Sequence, residues 1–559
     1  MDLLQPRSTS DGPDADLRPV ERLIRDVCTS RTPADATPIS DKTVRADFLE
    51  RLVTGRIEGL AGDIRTIHII GATIEGELVL AGLDIGYPLT FESCVFLRAP
   101  RLDDANLLSL SLTKGTAIPG LLATGLRVRG SVSMVQVTST DTIDLRYAQI
   151  DGVLHFRQST LLGSTVAVLA SQMTVRSNVS FSKSVVTGQI RMIGAQIGGA
   201  AIFRGADLRS PDDVCLQAER TEIDEGIWFD ADANRRAATV EGRIVLDNAK
   251  VGGSVLLSGV ALTDPHRGSP RKRLANRPTS LQAYGLRVTR DIRCDQGFRS
   301  DGAIGLCFAR VEGTISFDTA KMTTGTEDPP TDPSLIDLSG ASAGTVELDF
   351  AQPPATLDLT NVSVLVVVDN PITWPGAIVL DGFSYDRLSS PQPVSVHQRI
   401  TWLTRGDTNY RPQPYEQLIA AYRRAGQEHE ARIVGYRKQH ARAKEVRGVS
   451  RLWSGILWAT VGYGYRTWLA SVWLIGLTLV GWSVFTPIRE SAIAAVEKPP
   501  RFHSLVYSVD LLIPVVSLGQ DTTWRFDSGA RWVAWGLILS GWVLTTAVAT
   551  AIARVLRQG

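Results

Sequence analysis

Residues 340–344 carry the clearest match to a catalytic pattern. Gly340-Ala-Ser342-Ala-Gly344 fits the GxSxG motif of serine hydrolases. That chemistry requires the serine on a sharp strand-to-helix turn, with an acidic residue and then a histidine later in the chain. Here the motif runs into Thr-Val-Glu-Leu-Asp-Phe, an alternating sequence typical of a strand. We therefore interpret the small residues as a corner between strands and predict no catalytic residue.

Redox or metal chemistry needs cysteine, histidine or carboxylate side chains in closely spaced groups. The 7 histidines are scattered, the 5 cysteines include no CxxC pair, and no GxGxxG dinucleotide motif occurs. The sequence therefore predicts no cofactor and no metal site. Widely separated cysteines also suit a reducing compartment.

Segment 502–518, near the C-terminus, is apolar but too short to cross a membrane and return. It leads into a turn whose residues are the candidate pore residues Ser517, Leu518, Gly519, Gln520 and Asp521. Together with the apolar stretches on either side, this is the layout of a two-helix potassium-channel-like pore unit. The segment lacks the GYGD filter sequence and contains Asp510 and Pro514. The favoured interpretation is an amphipathic helix lying on the bilayer, and a re-entrant segment is the alternative.

Nine basic residues and only three glutamates lie between 423 and 451. This basic cluster consists of Arg423, Arg424, Arg432, Arg437, Lys438, Arg442, Lys444, Arg447 and Arg451. The cluster has two functional interpretations, binding of nucleic acid or of anionic lipid. The non-functional alternative is an ordinary solvated helix surface. The cluster directly precedes a tryptophan- and tyrosine-rich stretch, which favours the membrane interface. We therefore expect an anionic bilayer surface as the partner, and no nucleic acid.

Two stretches, 467–488 and 532–553, contain no charged residue over 22 positions each. At ~1.5 Å per helical residue, each reaches ~33 Å, against a hydrocarbon core of ~30 Å. The sequence therefore predicts two transmembrane helices in a multi-pass protein of the inner (cytoplasmic) membrane. The basic cluster, and a polar N-terminus without a signal-peptide pattern, place the N-terminal body and the C-terminus in the cytoplasm.

The elements before the membrane segment follow a short repeat, apolar-x-Gly-x-apolar-x-apolar, as in Val128-Arg-Gly130-Ser-Val132-Ser-Met134. One apolar position recurs at Leu110, Val132, Leu154, Val179 and Ala201. Two-residue alternation predicts strands with one inward side, and glycine permits a sharp positive-φ corner. A period of about 22 residues favours a mainly β fold, a right-handed parallel β-helix, over an antiparallel all-β domain.

The pattern along the chain predicts six regions. They are a disordered tail (1–16), N-terminal capping helices (17–66), the β-helix solenoid (67–375), a junction (376–412), a basic helical hairpin (413–450) and a membrane domain (451–559). In the hairpin, the spacing of Tyr415, Leu418, Ala421, Tyr422, Ala425 and Ala431 is that of packing residues in a tetratricopeptide-like unit. We expect this hairpin to connect the solenoid to the membrane.

The coils resemble those of pentapeptide-repeat and related β-solenoid proteins, although the period is nearer 22 residues than 20. The whole layout is similar to an actinobacterial group commonly labelled membrane-associated oxidoreductases. That resemblance rests on the coils, on PQPYEQLIAAYRRAG (412–426), on GYGYR (462–466) and on the paired C-terminal spans. The label implies redox chemistry, for which the residues supply no motif.

These patterns favour a non-enzymatic function. We expect a membrane-anchored cytoplasmic scaffold that binds protein partners along its solenoid and that can form a homo-oligomer. The first alternative is a channel- or sensor-like protein with a re-entrant segment at 502–518. The second is the oxidoreductase that the family label implies.

Overall fold

The fold is described by a computed structural model that covers most of the chain. The described residues are 17–29, 42–57, 64–263, 278–323, 334–406, 410–445, 468–488, 492–494, 501–513, 517–526 and 529–558. The predicted tail 1–16 lies outside them, as do segments 264–277 and 324–333. The chain divides into two compact units, Met1–Val394 with Thr404–Asp407, and Ser395–Leu403 with Thr408–Gly559.

The first unit is a parallel β-solenoid of about 14 turns with about 22 residues per turn. Its strands pair in parallel within two sheets, as the sequence predicts. The described strands of the first sheet are Thr43–Arg45, Thr73–Glu75, Val95–Phe96, Ala117–Ile118, Leu121–Leu122, Thr138–Ser139, Ile143–Asp144, Thr160–Leu169, Val185–Arg191, Asp207–Gln217, Thr239–Val245, Ala261–Thr263, Thr279–Gln282, Arg299–Ser300, Ala303–Gly305, Lys321–Met322, Leu335–Asp337, Thr356–Asp358 and Ala377–Val379. Those of the second sheet are Ile67–Ile70, Asp84–Glu92, Asn106–Thr113, Arg127–Val128, Val132–Val135, Gln149–Ile150, Leu154–His155, Thr174–Val175, Val179–Ser180, Gln196–Ile197, Ala200–Ile202, Glu222–Ile223, Gly226–Trp228, Lys250–Val251, Val255–Leu256, Arg287–Val288, Ile292–Arg293, Arg310–Val311, Thr314–Ser316, Ser342–Leu348, Ser363–Asp369 and Ser384–Ser389.

The predicted register of the coils is confirmed. Val132 pairs with Leu110 on one side and Leu154 on the other, and the column continues through Val179 to Ala201. All five side chains are buried, with at most 3% exposure. The pairing therefore places this column of side chains in the solenoid interior, as the alternation predicts.

Phenylalanine rings stack through the interior of the central coils. Phe156, Phe181, Phe203 and Phe229 lie on successive coils, with ring centroids 4.7, 5.3 and 4.5 Å apart and nearly parallel planes. Each ring is at most 1% exposed. This column fills the space between the sheets with large apolar side chains, whose burial stabilises neighbouring coils together.

Only some of the repeat glycines have the predicted positive φ. Gly76 and Gly242 have positive φ, whereas Gly130, Gly152 and Gly253 do not. A Cβ atom on Gly253 would lie 1.6 Å from the carbonyl oxygen of Glu225 in the preceding coil. The glycines without positive φ are therefore needed because successive backbones approach closely, and the prediction of a positive-φ corner is wrong at those positions.

The left-handed corners lie elsewhere in each coil and accept many residue types. Gln136, Gln158 and Lys183 have φ between 55° and 60° at one corner, and Tyr147 and Asn248 have similar values at another. Fifteen non-glycine residues of the described chain share this conformation. Regular pairing with adjacent coils holds these corners in a conformation that is uncommon for residues with a side chain.

Helices α1 (Pro19–Thr29) and α2 (Ala46–Val53) lie at the start of the solenoid, within the region predicted to hold capping helices. The region also contains a strand that the prediction of capping helices did not include, Thr43–Arg45, which pairs with Thr73–Glu75. The fully buried carboxylate of Glu21 accepts hydrogen bonds from the backbone N–H and the guanidinium of Arg45. This ion pair ties α1 to the first strand.

The solenoid continues beyond the expected boundary at residue 375. Strand Ala377–Val379 pairs with Thr356–Asp358, and Ser384–Ser389 pairs with Ser363–Asp369. A short 3₁₀ turn, Pro371–Thr373, interrupts the last coils without ending them. Part of the predicted junction therefore belongs to the solenoid.

The second unit is helical. Its described helices are α3 (Val396–Leu403), α4 (Pro412–Arg424), α5 (Glu428–Glu445), α6 (Trp468–Phe485), α7 (Ser504–Leu512), α8 (Gln520–Thr523) and α9 (Ala530–Gln558). Strands Ala492–Ala494 and Trp524–Phe526 form an antiparallel pair. Helices α6 and α9 overlap the predicted transmembrane segments 467–488 and 532–553. Among the described residues, however, none of these helices combines the length and the apolar character that a membrane crossing needs.

Candidate functional sites

A groove of about 560 Å³ lies on the second sheet of the solenoid. Along it, the outward residues Glu222, Lys250, Arg287, Arg310 and Ser342 occupy equivalent positions on five successive coils. Adjacent strands are ~4.8 Å apart, so these side chains form a regular ladder. The groove thus presents three consecutive basic side chains.

The charges within the groove are only partly paired. The ammonium nitrogen of Lys250 lies 2.6 Å from a carboxylate oxygen of Glu222. Arg287 and Arg310 are exposed and form no ion pair with another described residue. Glu312 lies on the same wall of the groove. The arrangement therefore offers two unneutralised guanidinium groups one coil apart, next to fixed negative charge.

Ser342 does not lie in the setting that a hydrolase needs. It is the first residue of strand Ser342–Leu348 and pairs with Arg310 and Ser363 of the adjacent coils. Gly340 has φ +70° at a corner, and Gly344 lies close to the backbone of the preceding coil. This is a strand following a corner, without a strand-to-helix turn, in agreement with our interpretation of the motif.

The basic cluster lies largely on the antiparallel helices α4 and α5, separated at Gly426 with φ +73°. Arg423 lies 3.9 Å from Glu428, and Lys438 forms an ion pair with Glu416. Arg424, Arg432, Arg437 and Arg442 also lie on these helices, whereas the side chain of Lys444 and residues Arg447 and Arg451 are outside the described part. Two of the predicted lipid-binding charges, Arg423 and Lys438, therefore take part in contacts within the hairpin.

The packing residues predicted for this hairpin are mostly correct. Tyr415, Leu418, Ala421 and Ala431 are buried, and Leu418 is fully so. Tyr422 is half-buried, but Ala425 is exposed because it is the C-terminal cap of α4. The tetratricopeptide-like spacing therefore describes most of the interface between the two helices.

The carboxylate of Asp510 holds the candidate pore turn, although the sequence analysis counted this residue only as evidence against a pore helix. Asp510, 5% exposed, accepts hydrogen bonds from the backbone N–H groups of Leu518, Gln520 and Asp521. Gly519 lies within this turn with φ +80°. Ser517 and Leu518 are exposed, whereas Gln520 is buried. The predicted pore residues thus form a turn tethered to helix α7.

Helix α7 packs against both long helices rather than standing alone. A Cβ atom on Gly481 of α6 would lie 2.6 Å from the hydroxyl of Ser508, and one on Gly541 of α9 would lie 2.3 Å from the carbonyl oxygen of Leu512. The buried side of α7 includes Tyr507. Glycine on each long helix therefore allows α7 to approach closely, which an isolated surface helix would not require.

Cysteine and histidine supply no assembled centre in the described chain. No group of three or more His, Cys, Asp or Glu side chains that could hold a metal ion occurs among the described residues. Burial raises the pKa of the Cys94 and Cys294 thiols. Buried thiols of raised pKa are poor nucleophiles.

No family model, curated protein or solved structure matches this chain.

Proposed function

We propose that this protein is a scaffold whose solenoid groove binds an acidic segment of a protein partner, and whose helical unit holds it at a membrane. The observation that carries the first part is the pair Arg287 and Arg310. Guanidinium groups bind carboxylates through charge-assisted hydrogen bonds, and these two lack an acidic partner among the described residues. A regular solenoid face provides a rigid surface for such contacts.

The mixed charge of the groove favours a protein partner over a nucleic acid. Glu222, Asp224 and Glu312 line the groove together with the basic ladder. A uniformly charged phosphate backbone would meet repulsion from these carboxylates, whereas a peptide can place acidic side chains at the arginines and basic or neutral ones at the glutamates.

Charge reversal tests this part of the proposal. A short Glu/Ser-rich peptide should bind the full-length protein, and Arg287→Glu with Arg310→Glu should weaken that binding about tenfold or more, equivalent to about 1.4 kcal/mol or more. The matched control, Arg127→Glu with Arg129→Glu, makes the same change of charge on the same sheet outside the groove. Equal binding by both double variants, or preferential binding of a single-stranded nucleic acid, would contradict the proposal.

The membrane part of the proposal rests on the outer faces of α6 and α9. Large apolar side chains there are strongly exposed, for example Ile475 at 61% and Leu539 at 68%. The others are Val472, Trp473, Leu479, Val480, Trp482, Trp532, Trp535, Ile538 and Trp542. Water is a poor solvent for so continuous an apolar surface, and lipid would cover it. The uncharged stretches 467–488 and 532–553 and the preceding basic cluster also support insertion, with the solenoid in the cytoplasm.

A channel-like function is the second candidate, and the packing of α7 favours it. A short helix packed against two long apolar helices, followed by a turn held by Asp510, is the arrangement that a re-entrant segment requires. Purified protein in liposomes would then conduct ions, and Gly519→Val would abolish the flux without preventing insertion. Liposomes as impermeable as protein-free ones would eliminate this candidate.

The oxidoreductase interpretation depends on the family resemblance alone. It predicts that the purified protein carries a chromophoric cofactor. A visible absorbance spectrum with flavin, haem or iron–sulfur bands would support it.

A further inference from the structure

A cavity of about 510 Å³ in the helical unit is lined by parts of α7, α8, α9 and the antiparallel strand pair Ala492–Ala494/Trp524–Phe526. Tyr507, Leu511, Trp535 and Ile538 form apolar parts of its wall. Arg525 and Arg531 contribute basic side chains. A concave cavity that combines apolar walls with a few charged groups is the usual form of a small-molecule site.

The cavity has an excess of positive charge. Arg525 and Arg531 form no ion pair with another described residue, and the guanidinium of Arg531 lies 5.0 Å from the centre of the Trp535 ring. Asp521 also lines the cavity, but burial and the neighbouring Asp510 carboxylate raise the pKa of its carboxyl group. The two arginines therefore outnumber the single carboxylate in the cavity wall.

The apolar wall continues out of the cavity along one face of α9. Trp535, Ile538 and Trp542 are spaced at i, i+3 and i+7, so they lie on one side of the helix. They are 50%, 36% and 58% exposed. A ligand that reaches from the arginines along this face would need a charged group followed by an extended apolar chain.

We propose that this cavity binds an anionic phospholipid. Its phosphate lies between Arg525 and Arg531, and one acyl chain follows Trp535, Ile538 and Trp542. Arginine suits this role because its planar guanidinium binds phosphate oxygens and stacks on aromatic rings. The inference rests on the proposed membrane location and names the lipid class that the helical unit selects.

The test uses short-chain lipids below their micelle concentration, so that it does not depend on whether the protein inserts into membranes. Dihexanoyl-phosphatidylglycerol should bind the full-length protein in detergent at least about tenfold more tightly than dihexanoyl-phosphatidylcholine. Arg525→Gln with Arg531→Gln should remove that preference. Arg554→Gln with Arg557→Gln, which removes the same charge from the end of the same helix, should preserve it.

Two further measurements identify the ligand source. Ile538→Asp should weaken binding of the phosphatidylglycerol, and inorganic phosphate should not displace this lipid at millimolar concentration. Displacement by phosphate would overturn the lipid assignment in favour of a free anion. Unchanged lipid preference in Arg525→Gln with Arg531→Gln would overturn the site itself. Release of the wild-type protein from membranes in a separate extraction experiment would instead refute the proposed membrane location. A wrong lipid site and a wrong location therefore give different results.

Discussion

The phenylalanine column makes a quantitative prediction about the stability of the solenoid. Phe203 is fully buried, and its ring lies 5.3 Å from that of Phe181 and 4.5 Å from that of Phe229, centre to centre. Replacement by alanine removes both ring contacts and leaves a cavity between coils. Buried Phe→Ala substitutions cost about 3–5 kcal/mol, so Phe203→Ala should lower the free energy of unfolding by about that amount.

A second substitution separates the volume of the ring from its stacking. Phe203→Leu keeps most of the apolar volume but loses two aromatic pairs, each worth about 0.5–1.5 kcal/mol. It should therefore cost about 1–3 kcal/mol in total. Leu365→Ala is the control, because Leu365 is 60% exposed on strand Ser363–Asp369. We expect that change to stay within about 0.5 kcal/mol.

Urea unfolding of the full-length protein, followed by far-ultraviolet circular dichroism at the β-sheet signal, measures these differences. The expected order of stability is wild type and Leu365→Ala, then Phe203→Leu, then Phe203→Ala. If Phe203→Ala unfolded at the same urea concentration as Leu365→Ala, the ring would not support neighbouring coils, and the stacked interior would be refuted.

Three other predictions test single contacts. Gly253→Ala should lower the thermal unfolding temperature by several degrees, because its Cβ would lie 1.6 Å from a backbone oxygen. Gly86→Ala is the control and should not lower that temperature, because the space around Gly86 is open. Equal effects of the two substitutions would contradict the close approach of coils. Burial raises the pKa of Glu21, but hydrogen bonds from Arg45 have the larger combined effect and hold the pKa below the ordinary 4.5. The ion pair therefore stabilises the fold above pH ~4.5, and this stabilisation is lost as the pH falls through the lowered pKa. The stability of Glu21→Gln should therefore lack this loss at acidic pH. A pH profile of stability equal to that of the wild type would exclude a stabilising contribution from the ion pair. Asp510→Asn supplies one acceptor oxygen where the carboxylate has two, so amide hydrogen exchange at 518–521 should accelerate; unchanged exchange would show that Asp510 does not hold the turn.

The alternation of apolar residues was enough to predict the solenoid and its register. The column through Leu110, Val132 and Leu154 follows directly from spacing, because side chains on a strand alternate between two sides. The first strand, Thr43–Arg45, was missed because three residues are too few to show a period, and the helix that follows has a stronger pattern. The last coils were missed because the prolines at 371 and 375 resemble the end of a domain.

The groove could not be predicted because its residues are brought together only by the coil register. Lys250, Arg287 and Arg310 are separated by 37 and 23 positions, and segment 264–277 is inserted between the first two. No fixed spacing therefore reveals them as neighbours. The contribution of Asp510 was also hidden, because an acidic residue in an apolar segment indicates a disrupted helix unless its backbone partners are known.

Substitution on the exposed faces of α6 and α9 tests the membrane-anchored scaffold most directly. Ile475→Asp with Leu539→Asp would cost little in water, but about 2.5–3.5 kcal/mol each near the centre of a bilayer. In alkaline carbonate extraction of cell membranes, wild-type protein and the equally exposed solenoid control Leu365→Asp should remain in the pellet, whereas the double variant should move to the supernatant. Release of the wild-type protein, or full retention of the double variant, would contradict the account.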